Sequence, residues 1–129
     1  LPGSGKTTIA KQLAPAAAFA ADDYFTDDAG VYRFDTTKLR EAHSACQRQV
    51  RNAMTTWGDT FNVAVANTFS CIWELDPYLK MAAELEIPVT IIEVQTSLTD
   101  DELAARNVHG VPAEAIRRMR ARWEKFPTP

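Results

Sequence analysis

The chain has 129 residues, 46% of them hydrophobic, a length that fills one compact domain and is too short for two ordinary ones. Its formal net charge of −3 excludes a globally basic nucleic-acid-binding surface, and no apolar run approaches the length of a membrane helix. Cys46 and Cys71 are too far apart for a zinc-type C-x-x-C pair and sit among apolar residues, so buried free thiols and a reducing cytoplasm are expected.

The first stretch, LPGSGKTTIAKQL, carries the phosphate-binding pattern G-x-x-x-x-G-K-[ST], with Gly5, Lys6 and Thr7 in register and the first glycine falling just ahead of Leu1. Gly3 and Gly5 let the backbone turn with its N–H groups inward, and a helix beginning near Lys6 adds the positive end of its dipole. The loop from Gly3 and Ser4 to Thr7 and Thr8 is therefore built to wrap a phosphate chain. Lys6 is expected to bridge the β- and γ-phosphates of ATP or GTP, and the Thr7 hydroxyl to ligate Mg²⁺. Such a loop follows a buried strand, so about five to ten further strand residues are expected ahead of Leu1.

The helix after the loop should run to about Ala14 and stop at Pro15. Residues 16–21 read as a short buried strand leading to Asp22, although alanines form strands weakly. Residues 26–35 are polar and read as loop, with a turn at Asp28, Ala29 and Gly30. Asp35 can cap the next helix, in which Leu39, Ala42, Cys46, Val50, Ala53 and Trp57 recur at helical spacing and which Gly58 ends. Residues 61–67 alternate valines with small residues and predict a central strand, with Asn67 and Thr68 at its carboxyl edge.

DPYLKMAAELE follows as a helix with Pro77 in its first turn, and the β-branched residues 88–95 predict another strand. Thr99 and Glu102 form a capping box for the next helix, and His109-Gly110-Val111-Pro112 breaks the chain before a last helix reaching about Lys125. Strands alternating with helices imply a parallel sheet whose ligands gather at the carboxyl ends of the strands. The phosphate loop, Asp22-Asp23 and Asn67-Thr68 then share one edge. Acids cluster at 22–35 and Arg117, Arg118, Arg120, Arg122 and Lys125 near the other end, which suits a site where Mg²⁺ meets phosphate.

LPGSGKTT, ADDYF, VYRFD with a helix carrying EAH, ANTF, WELDPYLKMA and RNVHGVP followed by IRRMRARWE, spread in this order over almost the whole chain, resemble the bacteriophage polynucleotide kinase group of P-loop kinases. The resemblance implies an α/β fold with a P-loop NTPase-type parallel sheet flanked by helices and a C-terminal helical lid. It implies ATP- and Mg²⁺-dependent transfer to a nucleic-acid 5′-hydroxyl, with Asp22 as general base. Phosphoryl transfer to a hydroxyl independently calls for a carboxylate at such a strand end. Asp23 is expected as a helix cap or a substrate or metal contact, and Tyr24 and Phe25 as acceptor-pocket or core residues. Asn67 and Thr68 can hydrogen-bond an acceptor.

In the lid, Arg106 is the first choice for a phosphate contact, with Arg117 and Arg120 as further candidates, while Arg118 and Arg122 read as a solvated face. His109 is expected at the lid hinge or in a structural role, and His43 in packing. Ala66 stands where some members of the group have an acid, so Thr7 with Asp22 or Asp23 must serve the metal, directly or through water. Two other functions fit the same residues: a small-molecule or zeta-toxin-like kinase, and a non-catalytic NTP-binding module.

Overall fold

The computed structural model describes residues 1–57 and 60–127, so the helix stop expected at Gly58 lies outside the described residues. Contacts divide the chain into two units: Leu1–Lys6 with Thr68–Asp76 and Thr90–Pro129, and Thr7–Asn67 with Pro77–Val89.

The first helix, α1, spans Lys6–Leu13 and ends ahead of Pro15, as expected. In the second unit, β1 (Ala18–Phe19) and β2 (Ala64–Val65) pair in parallel with Ala18 opposite Ala64 and Phe19 opposite Val65. Ala64 N to Ala17 O at 2.9 Å and Ala66 N to Phe19 O at 2.8 Å extend the ladder at both ends. Both strands are shorter than their sequence patterns, and β1 does not reach Asp22. The chain instead winds into a 3-10 turn over Ala21–Phe25, capped by the Asp23 carboxylate, which accepts from Ala20 N at 3.0 Å. Alanine gives the strand little side-chain packing, so a local cap suffices to end it.

Asp35 caps a 3-10 turn, Thr36–Lys38, by accepting from Thr37 N at 2.9 Å, and the chain continues into α2, Leu39–Trp57. The buried face of α2 is Ala42, Cys46, Val50 and Ala53, packed on the 21–25 turn and β1; Leu39 and Trp57, at its ends, are exposed. Both cysteines are free, Cys46 buried and Cys71 only half-buried. A 3-10 turn (Ile72–Leu75) leads into α3, Asp76–Glu84.

The end of α3 is a left-handed cap. Glu86 has φ 55, Ile87 N donates to Ala82 O at 2.8 Å and Glu86 N to Ala83 O at 3.2 Å. A side chain is strained there, so Glu86→Gly is expected to stabilise the protein by about 0.5–1 kcal/mol, read as a rise in urea midpoint at constant m-value.

In the first unit α4 (Asp100–Arg106) packs on α5 (Ala113–Ala121) with Leu103 and Ile116 fully buried. The expected capping box is present: Thr99 Oγ1 accepts from Glu102 N at 3.2 Å and Glu102 Oε1 accepts from Thr99 N at 3.3 Å. α5 stops short of Lys125, because Glu124 N donates to Ser70 O at 2.8 Å and tertiary hydrogen bonds replace the next helical turn.

Residues 88–95, expected as a strand, pair in no ladder among the described residues, and Val89 and Ile92 stay half exposed. β-Branching supplies propensity, but a parallel strand exists only where a neighbour completes its hydrogen bonds. The α/β class therefore stands with a two-stranded sheet among the described residues. No helix among them is long and apolar enough to cross a membrane.

Candidate nucleotide-binding site

In the first unit, Gly3 and Gly5 both hold left-handed backbone, φ 79 and 94. A Cβ on Gly3 would stand 2.7 Å from Leu103 O, 3.3 Å from Asn107 N and 3.4 Å from the Arg106 Cβ, so the loop is pressed against the carboxyl end of α4. A Cβ on Gly5 would meet nothing within 4 Å, so the loop is open on that side. Ser4 Oγ is buried with no hydrogen-bond partner among the described residues. A buried hydroxyl left in that condition is costly, and a phosphate oxygen would satisfy it. Lys6 Nζ lies over the loop, 3.5 Å from Leu1 O. These residues fit a polyphosphate.

Thr7 and Thr8, exposed in the first turn of α1, belong to the second unit. The Thr7 hydroxyl is the hard oxygen donor that Mg²⁺ prefers, and such an ion keeps waters and phosphate oxygens as its other ligands. Among the described residues no group of His, Cys, Asp and Glu could hold a metal ion unaided.

Arg106 is the last residue of α4, exposed and adjacent to Gly3. The loop after it is organised by Asn107. Its Nδ2 donates to Leu103 O, Ala104 O and Val111 O at 3.0–3.1 Å, and its Oδ1 accepts from His109 N and Val111 N at 3.2 and 2.9 Å. Arg120 is drawn away from a phosphate role: its Nε donates to Asp100 Oδ1 at 2.9 Å and its Nη2 to Leu98 O at 3.4 Å. Arg117 leans on the same carboxylate at 3.9 Å.

Arg118 pairs with Glu114 at the surface, in keeping with a solvated face. Arg122 is exposed as well, and its Nε donates at 2.9 Å to Oγ of fully buried Ser70, in the segment that also holds half-buried Thr68. Ser70→Ala removes that acceptor, and a loss of about 1–2 kcal/mol in a urea titration is expected, as for a hydrogen bond to a charged donor.

In the second unit Asp22 and Asp23 sit in the 3-10 turn that follows β1. Asp23 serves as the cap described above. Asp22 Oδ1 accepts from the Tyr32 hydroxyl at 3.1 Å, and burial, reinforced by the Asp22 charge, pushes the Tyr32 phenol up to about 12. Asn67, read from sequence as an acceptor contact, is engaged inside the protein. Its Oδ1 accepts from Ala21 N at 2.7 Å, and its Nδ2 donates to Tyr78 Oη at 3.4 Å and to Cys46 Sγ at 3.9 Å. Tyr78 in turn donates to Cys46 Sγ at 3.3 Å, and burial pushes both the phenol and the thiol up. The amide thereby ties the end of β2 to the residue before Asp22.

Tyr24 is half exposed and donates to Glu41 Oε2 at 2.7 Å, which holds its phenol above the usual range; Phe25 is core. Both line a shallow groove of about 330 Å³ with Asp27, Arg33, Asp35 and Lys38. His43 is exposed on α2. Sequence reasoning missed Tyr32, Ser70 and Asn107. Only Tyr32 left a trace, as one of the aromatic residues alternating through the polar stretch VYRF.

A family model described as an AAA domain matches residues 1–126. The chain belongs to this family. Human NEDD4-binding protein 2 is 33% identical over 132 residues, which cover 98% of this chain and 7% of that protein. The chain thus spans a small part of that relative's length. No solved structure matches. Family and site together make this AAA domain a P-loop domain of nucleotide-binding, kinase-like type. The match is to that family, and not to the phage polynucleotide kinase group in particular.

Proposed function

We propose that this AAA domain is a single P-loop kinase domain that transfers the γ-phosphate of ATP to a hydroxyl, and that the acceptor is a polynucleotide 5′ end. The reading rests on the Asp22 carboxylate, which follows a parallel strand in a chain whose Gly3–Gly5 loop is shaped for phosphates. A kinase needs such a carboxylate within reach of the attacking hydroxyl, whereas a module that only binds nucleotide does not. Asp22 takes the acceptor proton, and Lys6 and Arg106 meet the charge that develops on the transferred group. Ser4 Oγ and the loop N–H groups hold the phosphates in place. Mg²⁺ at Thr7 would neutralise the phosphates when bound. Arg117 and Arg120 would join only by leaving Asp100. The groove beside Tyr24 sets Arg33 and Lys38 among Asp27 and Asp35, so an aromatic face and two cations would meet a single strand beside two carboxylates.

The test is transfer of labelled γ-phosphate to 5′-hydroxyl RNA and DNA oligonucleotides, run beside small polyol and nucleoside acceptors and a reaction without acceptor. Label on the oligonucleotides is expected, with Lys6→Ala lowering kcat/KM for ATP by about 100-fold or more. Label confined to small acceptors would refute the polynucleotide assignment, and slow turnover indifferent to any acceptor would refute the kinase reading.

A further inference from the structure

Residues 26–34, a plain polar loop by composition, are folded into a small flap. Asp27 Oδ1 accepts from Ala29 N and Val31 N, both at 2.9 Å, while Asp27 N donates to Val31 O at 3.0 Å. Gly30 makes the turn at φ 81. Thr26 and Tyr32 then pair as an antiparallel bridge, and Arg33 N donates to Phe25 O at 2.8 Å. The Tyr32 ring stands edge-on to buried Phe25 at 6.2 Å and stacks against Phe34 at 6.4 Å. Main chain and ring of Tyr32 are therefore both fixed, and the group so delivered is a hydroxyl, 3.1 Å from Asp22 Oδ1. Ordering a nine-residue loop is costly in entropy, roughly 1 kcal/mol or more per residue, and a solvent loop needs no such scaffold.

We propose that Tyr32 is a positioning residue for Asp22, setting the carboxylate at the angle from which it takes the acceptor proton; this rests on the kinase reading above. An aspartate side chain turns about two bonds, and a base that rotates away from its hydroxyl loses rate steeply. Asn67 fixes the backbone on one side through Ala21 N, and Tyr32 fixes the carboxylate on the other. The phenol stays protonated across the neutral range, its pKa being held at about 12, so it donates to Asp22 and does not compete as the base. The balance is then simple. The acceptor O–H proton passes to the Asp22 carboxylate, the acceptor oxygen bonds the γ-phosphorus, and the bond from that phosphorus to the β–γ bridging oxygen breaks to release ADP. Tyr32 keeps its own proton throughout.

Tyr32→Phe keeps the ring and removes only the hydroxyl. Two readouts are taken: kcat and both KM values for oligonucleotide phosphorylation, and the carboxyl carbon resonances of Asp22 and Asp23 at pH 7. A fall in kcat of about 10-fold is expected, with both KM values held within about twofold, because an oriented base contributes to the chemical step and not to binding. The Asp22 resonance should move, and that of Asp23, whose carboxylate accepts from Ala20 N, should move much less. An unchanged kcat overturns the proposal, as does a rise in acceptor KM at constant kcat, which would make Tyr32 a substrate contact. An unmoved Asp22 resonance overturns it as well. If wild type phosphorylates no oligonucleotide, the substrate assignment fails on its own, and the resonances still decide whether Tyr32 holds Asp22.

Discussion

Asp22→Asn is expected to slow γ-phosphate transfer by about 10²–10⁴-fold while ATP affinity stays within about threefold. The substitution is close to isosteric, and its amide oxygen can still accept from the Tyr32 hydroxyl that now bonds Oδ1, so the turn over Ala21–Phe25 should persist. What is lost, on the proposed kinase reading, is the basic lone pair that would receive the acceptor proton. Asp23→Asn is the matched control. Its side chain caps Ala20 N, an amide oxygen does that almost as well, and transfer should fall by no more than about twofold. Single-turnover transfer with labelled ATP, beside calorimetric ATP binding, separates the two effects. An Asp22→Asn protein that transfers at the wild-type rate would end the general-base assignment, whatever the acceptor.

Gly3→Ala should be the most damaging substitution in the phosphate loop for stability, at about 3 kcal/mol or more, because it combines backbone strain with a clash. The left-handed φ of 79 disfavours any side chain, and the new carbon would lie 2.7 Å from Leu103 O. That oxygen belongs to the main chain at the end of α4, which Asn107 holds by several hydrogen bonds, so it cannot swing aside as a side chain would. Gly5→Ala meets open space and carries only the strain of φ 94, about 1–3 kcal/mol. Thermal melts of both variants with and without ATP distinguish the cases. Gly3→Ala should melt well below Gly5→Ala, and both should lose most of the shift that ATP produces; equal melting temperatures would mean that the loop and α4 are not in such close contact.

The helices were legible because their signals are local: Pro77 in a first turn, Thr99 and Glu102 in a capping box, and Asp35 as a cap all act within a few residues. Strands were less so, since residues 88–95 have the composition of a strand but a ladder needs a partner distant in sequence. The phosphate loop could be read from its glycine spacing alone. Asn67 could not, because its partners Ala21 and Cys46 lie 46 and 21 positions away, and polarity at a strand edge looks the same whether a side chain meets a ligand or a backbone amide. Arg122 is exposed as its spacing suggested, but its bond to Ser70 could not be read, the acceptor being 52 positions distant.

The small residues of α2 carry a consequence for how this protein can vary. Ala42, Cys46 and Ala53 set the helix close against the turn that bears Asp22, and Ala42 has no exposed surface at all. A single added methyl there would overpack the contact, at a cost of about 1–3 kcal/mol, and press on the turn that holds the carboxylate which the proposed kinase reading makes the proton acceptor. Selection at these sites would therefore act on abundance and, if the proposed kinase reading holds, on rate at the same positions, so a mutational screen scored by turnover per folded molecule would separate the two.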